Sequence, residues 1–340
     1  MAFARVALFA GALALNATSP ADTPGRHAPA FVYSPYKHIT IAMNAQTHVI
    51  STAVGGTPVP LVAPEPSALP PGVATVTLAF ATGECGDETW EGLDAQMIAD
   101  ANLSAFNAAA VSYIVSTGGA EGVFTCATDA GMERFIARYA SPRLIGIDFD
   151  IEGSQTPEAI DSLVARVKAA QRRHPGLRFS FTLATFAATD GSRASLNNTG
   201  MRVMKAIRAR GLTGYYVNLM VMDYGDATAV HCVVSEGRCD MGRSAIQAAR
   251  NLNRMYGVPL ARIELTPMIG VNDVVANVFT LDDASLVARY VRDHRLGGLH
   301  FWSLDRDTRC AGDAKGVSST CSSLDAAPFA FTRAFNNALQ

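Results

Sequence analysis

The sequence predicts an α/β fold, a (β/α)8 barrel of the TIM type with an irregular first crossover. Three observations predict it. Short β-rich runs alternate with amphipathic helical patterns along most of the chain, the runs number eight, and each strand-helix unit takes roughly thirty to forty residues. An open doubly wound sheet would ordinarily stop at about five to seven strands.

In order, the candidate strands are HITIAM (38–43), TVTLAF (75–80), VSYIVS (111–116), RLIGIDFDI (143–151), RFSFTLAT (178–185), YYVNLMVM (215–222), RIELT (262–266) and GLHFWS (298–303). Between them, apolar residues recur at helical spacing over 93–110, 129–140, 157–173, 201–211, 241–257 and 282–294, and a last helix closes the chain. The link 57–72, TPVPLVAPEPSALPPG, holds too much proline for a full helix, so the first crossover is expected to be irregular.

Residues 34–340 are read as a single domain, with 1–17 as a signal peptide and 18–33 as an N-terminal tail. Arg5, the apolar run Val6 to Leu15 and the small residues after it have the layout of a secretory leader. No later run is apolar enough to span a bilayer. A formal net charge of -2 gives no electrostatic reason to expect nucleic acid or an anionic membrane as partner, and a neutral ligand and a monomer are the expectation.

Once export is assumed, the six cysteines suggest disulfides, since none form a CxxC pair or sit at metal-site spacing with histidine. Pairing by sequence neighbours gives Cys85 with Cys126, Cys232 with Cys239 and Cys310 with Cys321, one arrangement among the many that six cysteines allow. No glycine-rich phosphate loop, HExxH or Ser-His-Asp pattern is present, and no cofactor or metal is expected.

The informative stretch is GIDFDIEG (146–153). Strand side chains alternate between faces, so Asp148, Asp150 and Glu152 share one face and Ile147, Phe149 and Ile151 the other. In a barrel the apolar set packs beneath the helices and the acids line the lumen toward the C-terminal rim, where active sites of this architecture lie. A single buried Asp is commonly structural, but three acids within about 13 Å of one strand crowd like charge where water is scarce. Such crowding raises a carboxyl pKa and suits Glu152 to act as a general acid, for instance on a glycosidic oxygen.

These residues resemble glycoside hydrolase family 18, the chitinase family, whose fourth barrel strand carries DxxDxDxE. Here IGIDFDIE supplies its last three acids, with Ile145 in place of the first. Ser116-Thr117-Gly118-Gly119 matches the family's SxGG on strand three, and NLMVMDYG (218–225) resembles its MxYD, with Met220 and Asp223 in place and Met222 where tyrosine is expected. Tyr224 follows directly as a candidate for the missing hydroxyl, and HFWSLDRD (300–307) carries the family's late tryptophan as Trp302.

The run TPMIGVNDVVANVF (266–279) looks most like the bacterial and archaeal branch without the α+β insertion after strand seven, and the resemblance extends from about Tyr33 to Cys310.

The resemblance implies retaining, substrate-assisted hydrolysis of β-1,4-linked N-acetylglucosamine polymers. Glu152 would be the proton donor, Asp150 would orient the acetamide, and Asp148 would set the charge of Asp150. Trp302 would floor the sugar site, Asp223, Tyr224 and Met220 would hold the acetamido group, and Gly118 and Gly119 would allow close backbone approach.

Asn272 and Asp273 are candidate sugar contacts at the same rim, although an Asx turn accounts for them nearly as well. His300 reads as a core histidine, and Tyr33, Tyr36 and Trp90 as packing aromatics with a possible place in the groove. The alternatives are an endo-β-N-acetylglucosaminidase on other N-acetylated glycans and a catalytically silent chitin-binding lectin.

Overall fold

The structure is a computed structural model that describes Met1 and residues 30–63, 68–312 and 316–340. The leader and most of the tail lie outside the described residues. Eight parallel staves form the barrel: β1 in two halves (Val32–Tyr33 and Tyr36–His38), β2 (Thr75–Ala81), β3 (Ser112–Gly118), β4 (Leu144–Asp150), β5 (Arg178–Ala184), β6 (Tyr216–Met220), β7 (Ile263–Thr266) and β8 (Gly298–Leu299). The two halves of β1 flank Ser34-Pro35, one pairing with β8 through Val32 and Gly298 and the other with β2 through Tyr36 and Thr77, which closes the ring.

Helices α1 (Ala95–Ala108), α2 (Asp129–Tyr139), α3 (Pro157–Arg173), α4 (Asn198–Arg210), α5 (Met241–Tyr256), α6 (Leu281–Asp293) and α7 (Ala330–Leu339) follow β2 to β8 in turn. Their starts are set by side-chain caps: Thr156 accepts from the Ala159 N–H with Pro157 in the first turn, and Thr280 and Asp283 form a reciprocal capping box. Gly211 and Gly257, both left-handed, end α4 and α5. Only the first crossover among the described residues lacks a helix, and it carries instead the small pairing of Ser51–Thr52 with Val59–Pro60.

The expected strand over 38–43 is corrected. The stave lies earlier, over Val32 to His38, and Ile39 to Ala42 form turns with Ala42 at φ 60°. Lys37 hid the strand, because a lysine inside a barrel needs a compensating partner that sequence does not display. That partner is Asp305 at 2.6 Å, with the carbonyls of His38 and Ile41 each 2.7 Å from the ammonium.

On β4 the parity is as expected. Ile147 and Phe149 join the core beneath the helices, where Phe149 meets Phe124 and Phe181 with ring centres at 6.1 and 5.6 Å. Burying such side chains stabilises the fold by roughly 1.5–3 kcal/mol each. All three neighbour-paired disulfides are formed, Cys85–Cys126, Cys232–Cys239 and Cys310–Cys321. After β7 the chain makes only a short hairpin, Gly270–Val271 with Val278–Phe279, before α6, so no inserted domain walls the cleft there.

Candidate active site

Register builds the site. In the sheet, Asp148 lies level with Ser116 on β3 and Ser180 on β5, and Asp150 lies level with Gly118 and Thr182. Ser116 and Tyr36 donate to Oδ2 of Asp148 at 2.7 and 2.9 Å, and Ser180 and Thr182 to Oδ1 at 2.6 and 2.8 Å. Asn218 extends the network, donating to Tyr36 Oη at 3.0 Å and Thr182 Oγ1 at 2.9 Å and accepting from Thr266 at 2.8 Å. Burial raises the pKa of Asp148, and the four hydroxyl donors act against that rise by favouring its carboxylate.

Asp150 has no such cage. Its Oδ1 is buried with no partner among the described residues, and burial, then Glu152, then Asp148 push its pKa well above the usual carboxylate range. Glu152 is half-buried in the cleft wall, and its pKa is raised by burial first and by Asp223 and Asp273 next. The sequence reading gave Asp148 and Asp150 as the source of that rise; in the structure the crowding on β4 bears on Asp150, while Glu152 answers to acids from β6 and β7 as well.

Asp150 and Glu152 line a cleft of about 680 Å³ at the C-terminal mouth of the barrel, together with Gly118, Met220, Met222, Asp223, Asp273 and Trp302, whereas Asp148 is buried and is not part of its lining. Trp302 stacks on Phe80, ring centres 5.5 Å apart at 20°, and continues the β8 ladder through its N–H to Pro267 at 2.9 Å. At the rim His38 hydrogen-bonds Glu91, which also accepts from Thr40 at 2.9 Å. Gly118 and Gly119 both take positive φ. A Cβ on Gly118 would stand 2.1 Å from the Asp150 carbonyl oxygen, and one on Gly119 would stand 2.8 Å from the Phe80 ring. Both glycines therefore let the walls of the site approach each other.

Two expected contacts are corrected. Tyr224 is 2% exposed within the hydrophobic core and does not line the cleft. The chain turns at Asp223, whose φ is 49°, and Met222 keeps the position where the family has tyrosine. Asn272 is fully buried and spends its amide on the carbonyls of Met268 (2.8 Å) and Gly270 (3.1 Å) while accepting from the Asp223 N–H at 3.3 Å. It holds the wall and does not face it.

His300 is the core histidine expected, between the Ser34 carbonyl at 3.0 Å and Glu264 at 3.3 Å. Tyr33 packs against Phe301 and Phe335, and Trp90 is buried with its indole N–H on Tyr139 at 2.8 Å. Tyr36, Phe80, Thr182 and Met222, which line the cleft, were not singled out as site residues by sequence, apart from Tyr36 as a possible groove aromatic. The signal for Thr182 was the alternation in RFSFTLAT, which puts Ser180, Thr182 and Ala184 on one face.

The structure is a (β/α)8 barrel with an acid-lined cleft at the C-terminal mouth. The chain is 29% identical over 224 residues (60% of this chain, 24% of the relative) to a probable bifunctional chitinase/lysozyme of Escherichia coli. It is likewise 29% identical over 230 residues (62% and 42%) to Endochitinase 11 of Metarhizium anisopliae. It thus spans well under half the length of either relative. The catalytic domain of a hyperthermophilic chitinase from Pyrococcus furiosus superposes with a TM-score of 0.68 at 24% identity, covering 93% of this chain and 97% of that one, which shows the fold. No protein-family model matches the chain. The resemblance to family 18 chitinases read from the acid strand is borne out in sequence and in fold.

Proposed function

We propose that the chain is a secreted chitinase, cleaving β-1,4 bonds between N-acetylglucosamine units by a substrate-assisted, retaining route. The observation that carries this reading is the direction of β4, which turns Asp150 and Glu152 into one cleft and keeps Asp148 buried within the barrel on the same face of the strand. Glu152, whose pKa is raised, protonates the departing glycosidic oxygen and later takes a proton from water. The acetamido oxygen of the sugar beside the cut attacks its own anomeric carbon, so no enzyme nucleophile is needed. Asp150, buried with one oxygen unpartnered, orients the acetamide N–H and stabilises the oxazolinium cation. Asp148 stays fixed by its four hydroxyl donors and sets the charge beneath Asp150.

Trp302, stacked on Phe80, offers the sugar an apolar floor, and Asp223, Asp273, Met220 and Met222 line the same cleft. The cleft is open where no domain follows β7, which favours internal cutting. Three disulfides support export.

The test is hydrolysis of N-acetylglucosamine oligomers with product anomers followed by NMR. Retained anomers and inhibition by a thiazoline mimic are expected, and Glu152→Gln should abolish turnover while leaving the thermal transition in place. Full activity in Glu152→Gln would overturn the assignment.

A further inference from the structure

The turn after Trp302, Leu304–Arg306 with Asp307, sends three charged side chains in three directions. Asp305 pairs with Lys37 on β1, and Asp307 accepts from the N–H groups of Phe331 (2.9 Å) and Thr332 (2.8 Å) at the start of α7. Arg306 lies between them and is 1% exposed. Its guanidinium donates to the carbonyls of Ile269 at 2.9 Å and Val271 at 2.6 Å, on the segment leaving β7, and to the carbonyl of Ser318.

Ser318 belongs to the loop closed by Cys310–Cys321, and the next residue, Ser319, lines the cleft. The segment leaving β7 carries Asp273 into the cleft and holds Asp223, whose Oδ1 accepts from the Val274 N–H at 2.7 Å.

We propose that Arg306 is a positioning residue for hydrolysis, binding the β7 exit to the disulfide-closed loop and placing a fixed positive charge behind the Asp223–Asp273 wall that faces Glu152. It rests on the hydrolase reading above. Arginine suits the position because its planar fork can hold several carbonyls at once, which a lysine's point charge does not reproduce. Burial pulls its pKa down to about 10, against the pull of Asp273 and Asp223, so it remains charged at neutral pH.

The charges around Glu152 are Asp150 on its own strand, Asp223 from the end of β6, Asp273 from the segment after β7, and Glu121 and the His38–Glu91 pair in the same cleft. No lysine or arginine lines the cleft among the described residues, which leaves Arg306 as the cation acting on that wall from behind.

The consequence is readable in the pH profile. Losing the positive charge makes Glu152 harder to ionise, so the basic limb of kcat should move to higher pH in Arg306→Met, by about half a pH unit. In Arg306→Lys the charge stays and the fork is lost. The limb should hold its place while KM for N-acetylglucosamine oligomers rises several-fold, as the wall and Ser319 loosen.

A folded Arg306→Met with a superimposable pH profile would overturn the charge role, and Arg306→Lys with unchanged KM would overturn the positioning role. Should Arg306→Met fail to fold, Arg306→Lys decides. A wild-type protein inert on these oligomers would instead defeat the functional reading on which this one stands.

Discussion

Replacing Gly118 with alanine tests the geometry at the centre of the site. The added Cβ would stand 2.1 Å from the Asp150 carbonyl oxygen, at a φ of +86°. Ordinary contact requires that oxygen to retreat by about 1 Å, and it belongs to the backbone of a central strand, so the movement carries Asp150 with it. The left-handed backbone costs an L-residue about 1–2 kcal/mol. The hydrogen bond from the Gly119 N–H to the same carbonyl, 3.2 Å long, is worth about 1 kcal/mol, and repacking adds roughly 1–3 kcal/mol.

Together these give a loss of about 3–6 kcal/mol, which for a barrel of this size lowers Tm by roughly 5–10 °C. On the proposed mechanism, displacing the Asp150 carboxyl by about 1 Å should also lower kcat near 100-fold. Gly153→Ala is the control, since nothing lies within 4 Å of a Cβ there and its φ is not positive, although it adjoins Glu152. Thermal denaturation with steady-state hydrolysis of N-acetylglucosamine oligomers measures both effects. A Gly118→Ala protein as stable and as active as Gly153→Ala would refute the reasoning.

Asp150→Asn should gain stability while losing activity. The folded-state pKa of Asp150 lies well above its unfolded value, so ionising it opposes folding as pH rises through the folded pKa; the gain in Tm should be present at neutral pH and vanish below about pH 4. Glu264 has the opposite sign: despite burial, Arg178 and then His300 hold its pKa at about 2, so its contribution is present above about pH 4 and disappears as pH falls toward 2. Glu264→Gln should therefore cost about 3–5 kcal/mol at pH 7, by leaving Arg178 buried without its counter-charge, and much less at pH 2 in denaturant titrations. Among the disulfides, removing Cys85–Cys126, with 41 residues of separation, should cost about 4 kcal/mol, against about 2.5 kcal/mol for Cys232–Cys239, separated by 7. Guanidinium titration of the paired serine variants gives the order.

Much of this site could be read from the chain because strand parity is unambiguous in GIDFDIEG: only one register buries Ile147 and Phe149, and it necessarily turns the acids inward. The helices were legible because their apolar residues recur at helical spacing. What sequence could not display was compensation across the barrel. Lys37 reads as a surface residue until Asp305 is known to face it, which is why the first stave was sought too late in the chain.

The donors around Asp148 come from β1, β3 and β5, and no local pattern links Tyr36 and Ser116 to the face of β5 that carries Ser180 and Thr182. Tyr224 misled because adjacency in sequence suggests adjacency in space, whereas the left-handed turn at Asp223 separates Tyr224 from the cleft.

The divided first stave has a consequence for synthesis. Val32 waits for Gly298, so the ring cannot shut until the chain through β8 has emerged. Tyr36, on the same stave, is one of the hands that grip Asp148, and it reaches that grip from the closing seam. A chain that has not yet reached β8 therefore lacks both the seam and a fully held aspartate, and the proposed hydrolysis would wait for that strand.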